Sequence, residues 1–156
     1  MKTLNFTADM QTGMFQLLLA ILNLGNVNFV AGAGSASASS NVGPGCSSYV
    51  EQAIALLGVD PATFNKALIE KRIKMGTETV DMVLNSIQAK DSTDSLTKTL
   101  YSCMFDWVIK QVNLSLQAPT PAAHFIGILD IFGFEVFETN RFEQLCINYA
   151  NEKLQQ

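Results

Sequence analysis

Histidine is almost missing from this sequence: His124 is the only one in 156 residues. The three cysteines, Cys46, Cys103 and Cys146, are widely spaced and odd in number, with no C-x-x-C pair. That pattern suggests neither a disulfide framework nor a zinc site, and it fits a reducing, intracellular compartment. Charge is scarce too, at 15% of residues with a net of -4. Clustered Lys and Arg dominate binding to phosphate backbones, so neither nucleic acid nor an anionic membrane is an expected partner. Residues 15–30 come nearest to a membrane span, but they are too short and too polar for the roughly 20-residue hydrocarbon layer. Lys2, the apolar run at 15–22 and the small residues at 31–38 imitate a secretory signal. Asp9 stands where such a signal is basic, and Asn23, Asn26 and Asn28 interrupt its path to a cleavage site. A buried helix accounts for the run better.

What is present is a hydrophobic fraction of 48%, enough for one domain with a sizeable core. Thr7 predicts the N-cap of a helix from about residue 8 to 23, stopped near Gly25 and covered on several sides. A short strand is expected at 27–30, and the Gly/Ala/Ser-rich segment 31–47 reads as a flexible loop. Ser48 with Glu51 predicts a capping box for a helix ending near Gly58, and Asp60-Pro61 opens another to about Glu70. Residues 72–80 carry β-type residues around Gly76, the pattern of a short ribbon. Asn85 with Gln88 starts a long helix to about Leu116, with Leu96, Leu100, Cys103 and Trp107 as its buried stripe and Pro119 and Pro121 beyond its end. Trp107 is in register with that stripe and reads as core. The apolar run 125–129 predicts a strand buried on both faces, although no other segment could pair with it over any length. Asn140 with Glu143 begins a last helix whose face is Phe142, Leu145, Cys146 and Tyr149.

The predicted strand ends in Asp130, and Gly133 follows three residues later, the D-x-x-G form with which nucleotide triphosphatases feel a terminal phosphate. An Asp at the carboxyl end of a strand can hold a Mg²⁺-bound water. A Gly lets a backbone N–H approach a phosphate oxygen with no Cβ in the way. The four residues alone also suit a plain turn, capped by Asp130 and eased by Gly133. His124 reads as a solvated edge residue, Cys146 as a small buried hydrophobe, and Asp91 and Asp94 as exposed charges on one helix face.

The longer context resembles myosin heavy chains. DIFGFE at 130–135 and FEQLCINYANEKLQQ at 142–156 carry the resemblance most strongly. ILNLGNVNF at 21–29, LLGVD at 56–60 and DSLTKTLYSCMFDWVIKQVN at 94–113 extend it, and only the Gly/Ala/Ser loop lacks a match. The implied fold is part of an α/β P-loop NTPase motor: mostly helical here, with a helical upper subdomain at 1–30 and 48–118, one strand of a larger sheet at about 125–130 with switch II through 135, and an incomplete relay helix at 140–156. The resemblance implies that Asp130 sits in the second shell of Mg²⁺, that the Gly133 amide bonds the γ-phosphate of ATP, and that Glu135 pairs with an arginine of the other switch. That arginine is not in this chain. Phe132 would shape the pocket wall.

A second candidate lies at the ribbon. Lys66, Lys71, Arg72 and Lys74 place four of the ten basic residues within nine positions. A solvated helix end whose cations complement the dipole would account for them. The resemblance implies instead a loop facing the acidic surface of an actin filament, with Arg72, Lys74 and Glu78 in it and electrostatic steering as its role. Glu78, sixteen positions before Asp94, matches a family site that is acidic or phosphorylatable. Thr93 departs from the family's usual Arg, Arg141 from a Ser and Asn5 from a Gly. No G-x-x-x-x-G-K-[ST] phosphate loop and no switch I occur among these residues, so no tight ATP or Mg²⁺ binding is expected of the chain alone. Two readings follow: part of a cytoplasmic, cytoskeleton-associated motor ATPase completed by the remainder of the motor domain, or a stand-alone piece without ATPase activity that acts at most as a binding or scaffold element. By itself the chain should be poorly stable or associate.

Overall fold

A computed structural model of the chain describes residues 1–32, 39–76, 78–117, 124 and 126–156. They fall into two compact units, Met1–Gln117 and Ala118–Gln156, each treated by itself. Residues 33–38, Pro119, Pro121 and Phe125, which the sequence reading used for a loop, a helix stop and a strand start, lie outside the described residues.

In the first unit Thr7 caps helix α1 (Ala8–Gly25), its hydroxyl accepting from the Met10 N–H at 3.2 Å. The cover expected on several sides is not there. Met14, Ala20 and Leu24 are buried, whereas Phe15, Leu19 and Leu22 are exposed, because the two helices that pack against α1 leave that face uncovered. Its last turn holds no basic residue, and Lys90 supplies one from another helix by donating to the Gly25 carbonyl at 3.2 Å.

Strand β1 (Phe29–Ala31) pairs antiparallel with β2 (Ser40–Val42), with Phe29 opposite Val42. The segment expected to be all loop thus carries a strand, since pairing with β1 satisfies its backbone groups. Helix α2 (Ser47–Leu57) begins two residues earlier than the Ser48 cap predicts; Cys46 is its N-cap, without a side-chain bond, so the Ser48–Glu51 box does not form. Gly58, at φ 65°, stops it in the left-handed conformation. Asp60 caps α3 (Pro61–Ile69) by accepting from the Thr63 N–H at 2.8 Å, which holds its carboxyl below the usual range. Val27, Cys46, Val50, Ile54 and Leu68 close the core between these elements.

The ribbon forms as β3 (Glu70–Met75) and β4 (Glu78–Val83), paired antiparallel with Met75 opposite Glu78. Gly76 takes φ 65° at the turn, a conformation nearly free only for glycine. Asn85 and Gln88 form the predicted capping box, at 2.9 and 3.1 Å, and start the 30-residue α4 (Ser86–Ser115). Its buried residues are Ala89, Thr93 and Met104. Leu96, Leu100 and Trp107 are half-buried and Cys103 is exposed, so the predicted stripe is shallower than expected and displaced toward Met104. Trp107 meets Phe6 edge-on, ring centres 6.0 Å apart, as a packing residue does. Thr93 bonds the Ala89 carbonyl at 2.9 Å, and Asp94 pairs with Lys90 at 2.9 Å.

The second unit corrects three expectations. Residues 126–130 form no strand: Ile126 is 98% and Ile128 94% exposed. A parallel strand needs a neighbour to take its backbone bonds, and the described residues supply none. Helix α5 (Phe142–Gln155) starts after Arg141, whose N–H donates to Gln144 Oε1 at 2.8 Å. Asn140 instead closes a turn with the Phe137 backbone, at 2.8 and 2.9 Å. Phe142, Leu145, Cys146 and Tyr149 are all exposed; the half-buried positions are Gln144, Ile147, Asn148 and Asn151. Cys146 is therefore not a buried hydrophobe. The described chain is mostly helical with two small antiparallel sheets.

Candidate functional site

The loop 130–135 holds Asp130, Gly133 and Glu135 in irregular backbone ahead of α5. Asp130, Phe132 and Gly133 are exposed, and Glu135 is half-buried. Nothing lies within 4 Å of where a Cβ at Gly133 would stand, so the loop is open on that side. Among the described residues no ion pair engages the Asp130 or Glu135 carboxylate. What fixes the loop is Asn148, two turns into α5. Its Oδ1 accepts from the Glu135 N–H at 2.8 Å and its Nδ2 donates to the Glu135 carbonyl at 2.8 Å. One side-chain amide thus satisfies both backbone groups of one loop residue. The sequence reading had not singled out Asn148; a polar residue in the middle of the helix at a half-buried position was the available signal.

The ribbon is the other site. Arg72 Nε donates to Asp81 Oδ1 at 2.9 Å and Nη2 to Oδ2 at 3.4 Å, while Lys66 reaches Asp81 at 3.1 Å and Glu70 at 3.3 Å. The Asp81 carboxyl is held down to about 2, first by its hydrogen bond with Arg72 and then by Lys66. Lys66 and Arg72 are raised in return, each chiefly by its bond with Asp81. Lys74, opposite Thr79, and Glu78 are exposed. Asp81 was missed, although counting back from Met75 opposite Glu78 places it across from Arg72. An apolar groove of about 370 Å³ between α1 and α4, lined by Met10, Met14, Leu17, Cys103, Met104 and Trp107, offers no polar group suited to catalysis. His124 is exposed. The described residues contain no group of three His, Cys, Asp or Glu able to hold a metal ion, and no helix long and apolar enough to cross a membrane.

The family model for the myosin head (motor domain) matches residues 1–156. The chain belongs to the myosin head family. It is 45% identical over 151 residues to a myosin-1 of Aspergillus oryzae, covering 94% of this chain and 12% of that protein. Against the high molecular weight form of myosin-1 from Acanthamoeba castellanii it is 42% identical over 153 residues, covering 97% of the chain and 10% of the relative. With myosin type-2 heavy chain 1 of Schizosaccharomyces pombe it shares 41% over 155 residues, 99% of the chain and 10% of the relative. The chain therefore corresponds to part of a myosin motor, spanning about a tenth of these relatives. Apolar exposure agrees with that: none of the described residues of the second unit is buried, and Ile126, Ile128, Leu129, Phe132 and Phe142 all lie open.

Proposed function

We propose that this chain serves an actin-based, ATP-driven cytoskeletal motor as its γ-phosphate sensor, relay helix and one actin-facing ribbon. The observation that carries the reading is the Asn148 clamp on Glu135, which ties the D-x-x-G loop to a 14-residue helix. A loop shift of an ångström would draw on the helix through two hydrogen bonds, and a packed helix moves as a body.

Magnitudes argue for shared work. A hydrogen bond to a charged group contributes roughly 1.5 to 3 kcal/mol, whereas driving a two-state element from 1:99 to 99:1 takes about 5.5 kcal/mol. The Gly133 amide alone falls short, so Glu135 and contacts linked to Mg²⁺ must close the switch with it.

The residues fit part of an ATP–Mg²⁺ site. Gly133 is exposed, with no atom where a Cβ would stand, and Asp130 is exposed, so an amide for one phosphate oxygen and a carboxylate for one metal-bound water lie within four residues of one another. Mg²⁺ would neutralise charge on the phosphates when bound. The phosphate loop, the other ligands and the arginine for Glu135 belong to the remainder of the motor.

Replacing the matching segment of the Aspergillus oryzae myosin-1 with this chain tests the proposal. Actin-activated ATPase within several-fold of the parent is expected. A hybrid that folds and binds ATP but neither hydrolyses it nor binds actin would overturn it.

A further inference from the structure

The cations of the ribbon are of two kinds. Arg72 and Lys66 converge on Asp81, at 2.9 and 3.1 Å, from β3 and from α3. Lys71 and Lys74 make no ion pair among the described residues. On the hairpin itself Lys71, Arg72 and Lys74 are balanced by Glu70, Glu78 and Asp81, so the ribbon carries no net charge of its own. Strand alternation places Arg72, Lys74, Thr79 and Asp81 on one face. Held and free cations therefore stand side by side on the face most suited to an acidic partner.

We infer that Asp81 is a specificity-determining residue that masks Arg72 and Lys66, and so sets how strongly the ribbon attracts an acidic protein surface. The inference deepens the actin-facing reading and rests on it. A carboxylate of the partner can meet Lys74 by displacing only water and salt ions, but it reaches the Arg72 guanidinium only by displacing Asp81. The fork of Arg72 already has two of its donors spent on that carboxylate. An ion pair also presents a dipole to the partner, whose field decays faster than that of a lone charge and is screened within roughly 8 to 10 Å. Arg72, with its side chain 70% exposed, is the cation that loss of Asp81 frees outright, whereas Lys66 stays paired with Glu70 at 3.3 Å and is released only in part. Because Arg72 holds the Asp81 carboxyl near 2, the mask stays in place at every physiological pH.

Deleting any carboxylate adds one positive charge, so the test must separate contact masking from net charge. Binding of the Aspergillus oryzae myosin-1 hybrid that carries this segment to poly-L-glutamate and to filamentous actin is measured at low salt, with Asp81→Asn made in two backgrounds: the natural segment and the Lys66→Gln/Arg72→Gln double variant. Masking predicts that Asp81→Asn tightens poly-L-glutamate binding about fivefold in the natural background, the effect of one unit-charge contact near 4 Å in water. In the double variant the gain falls below about twofold, because no held cation remains to be released. Equal gains in the two backgrounds, or no gain in either, would overturn the inference. Coupled gains on poly-L-glutamate with none on actin would uphold the mask and sink the actin reading instead. Asp81→Thr, uncharged and suited to a strand, replaces Asp81→Asn if circular dichroism shows that Asn loosens the ribbon.

Discussion

Asn148 holds both backbone groups of Glu135, each at 2.8 Å, across 13 positions of sequence. The relation ties the D-x-x-G loop to α5, and it yields the first prediction. Asn148→Ala removes two partly buried hydrogen bonds and should cost about 1 to 3 kcal/mol of local stability. In a complete motor carrying this segment, ATP binding should persist while the conformational change that follows it slows. Hydrogen exchange at the Glu135 amide reports the first effect and a tryptophan or label on the relay helix the second. Unchanged protection of that amide would rule the clamp out.

Gly133→Ala tests the phosphate contact proposed for its amide. Its φ is not in the left-handed region and its added Cβ would meet nothing within 4 Å, so the chain's own fold should be indifferent to the change. In the complete motor the variant should bind ATP and lose its phosphate burst. Normal burst kinetics would refute the role given to Gly133.

Acid should weaken the ribbon within a defined window. The folded Asp81 carboxyl lies near 2, below its unfolded value of 3.8, so its stabilisation is fully present above pH 3.8 and fades as pH falls toward 2. Thermal melts from pH 7 to 2 should show a fall confined to the acid end and smaller in Asp81→Asn. An equal fall in both would remove Asp81 as its source.

The start of α4 offers a stability test away from either site. Asn85→Ala deletes the capping box and should destabilise the first unit by about 1 kcal/mol, visible as a lower urea midpoint with an unchanged slope.

Association is the expected behaviour of the isolated chain, since Ile126, Ile128, Phe132, Phe142 and Leu145 are exposed in the second unit. Light scattering should rise with concentration at micromolar levels. Scattering that stays flat across that range would contradict this.

Local signals were legible where a short-range bond decides the outcome. Thr7, Asp60 and Asn85 each cap the helix they predict, and Gly58 and Gly76 take the left-handed backbone their positions require. The family was legible because DIFGFE at 130–135 and FEQLCINYANEKLQQ at 142–156 resemble myosin heavy chains, not because of the spacing of Asp130 and Gly133 alone. Periodicity misled wherever burial depends on a distant neighbour. The run 125–129 has the composition of a buried strand, yet 126–129 lie open because, among the described residues, no strand pairs with them. The apolar stripe of α5 faces solvent for a related reason: Asn148 turns the helix's amide-bearing side to the loop.

The sequence by itself thus determined the caps, the turns and the D-x-x-G motif, each set by residues within a few positions of one another. Only the tertiary structure decided that Asp81 holds Arg72 and Lys66, that Lys90 reaches the end of α1, and that Asn148 grips Glu135. Those pairings join residues nine to sixty-five positions apart. No local preference specifies them, and they exist because strand register and helix packing carry the partners within bonding distance.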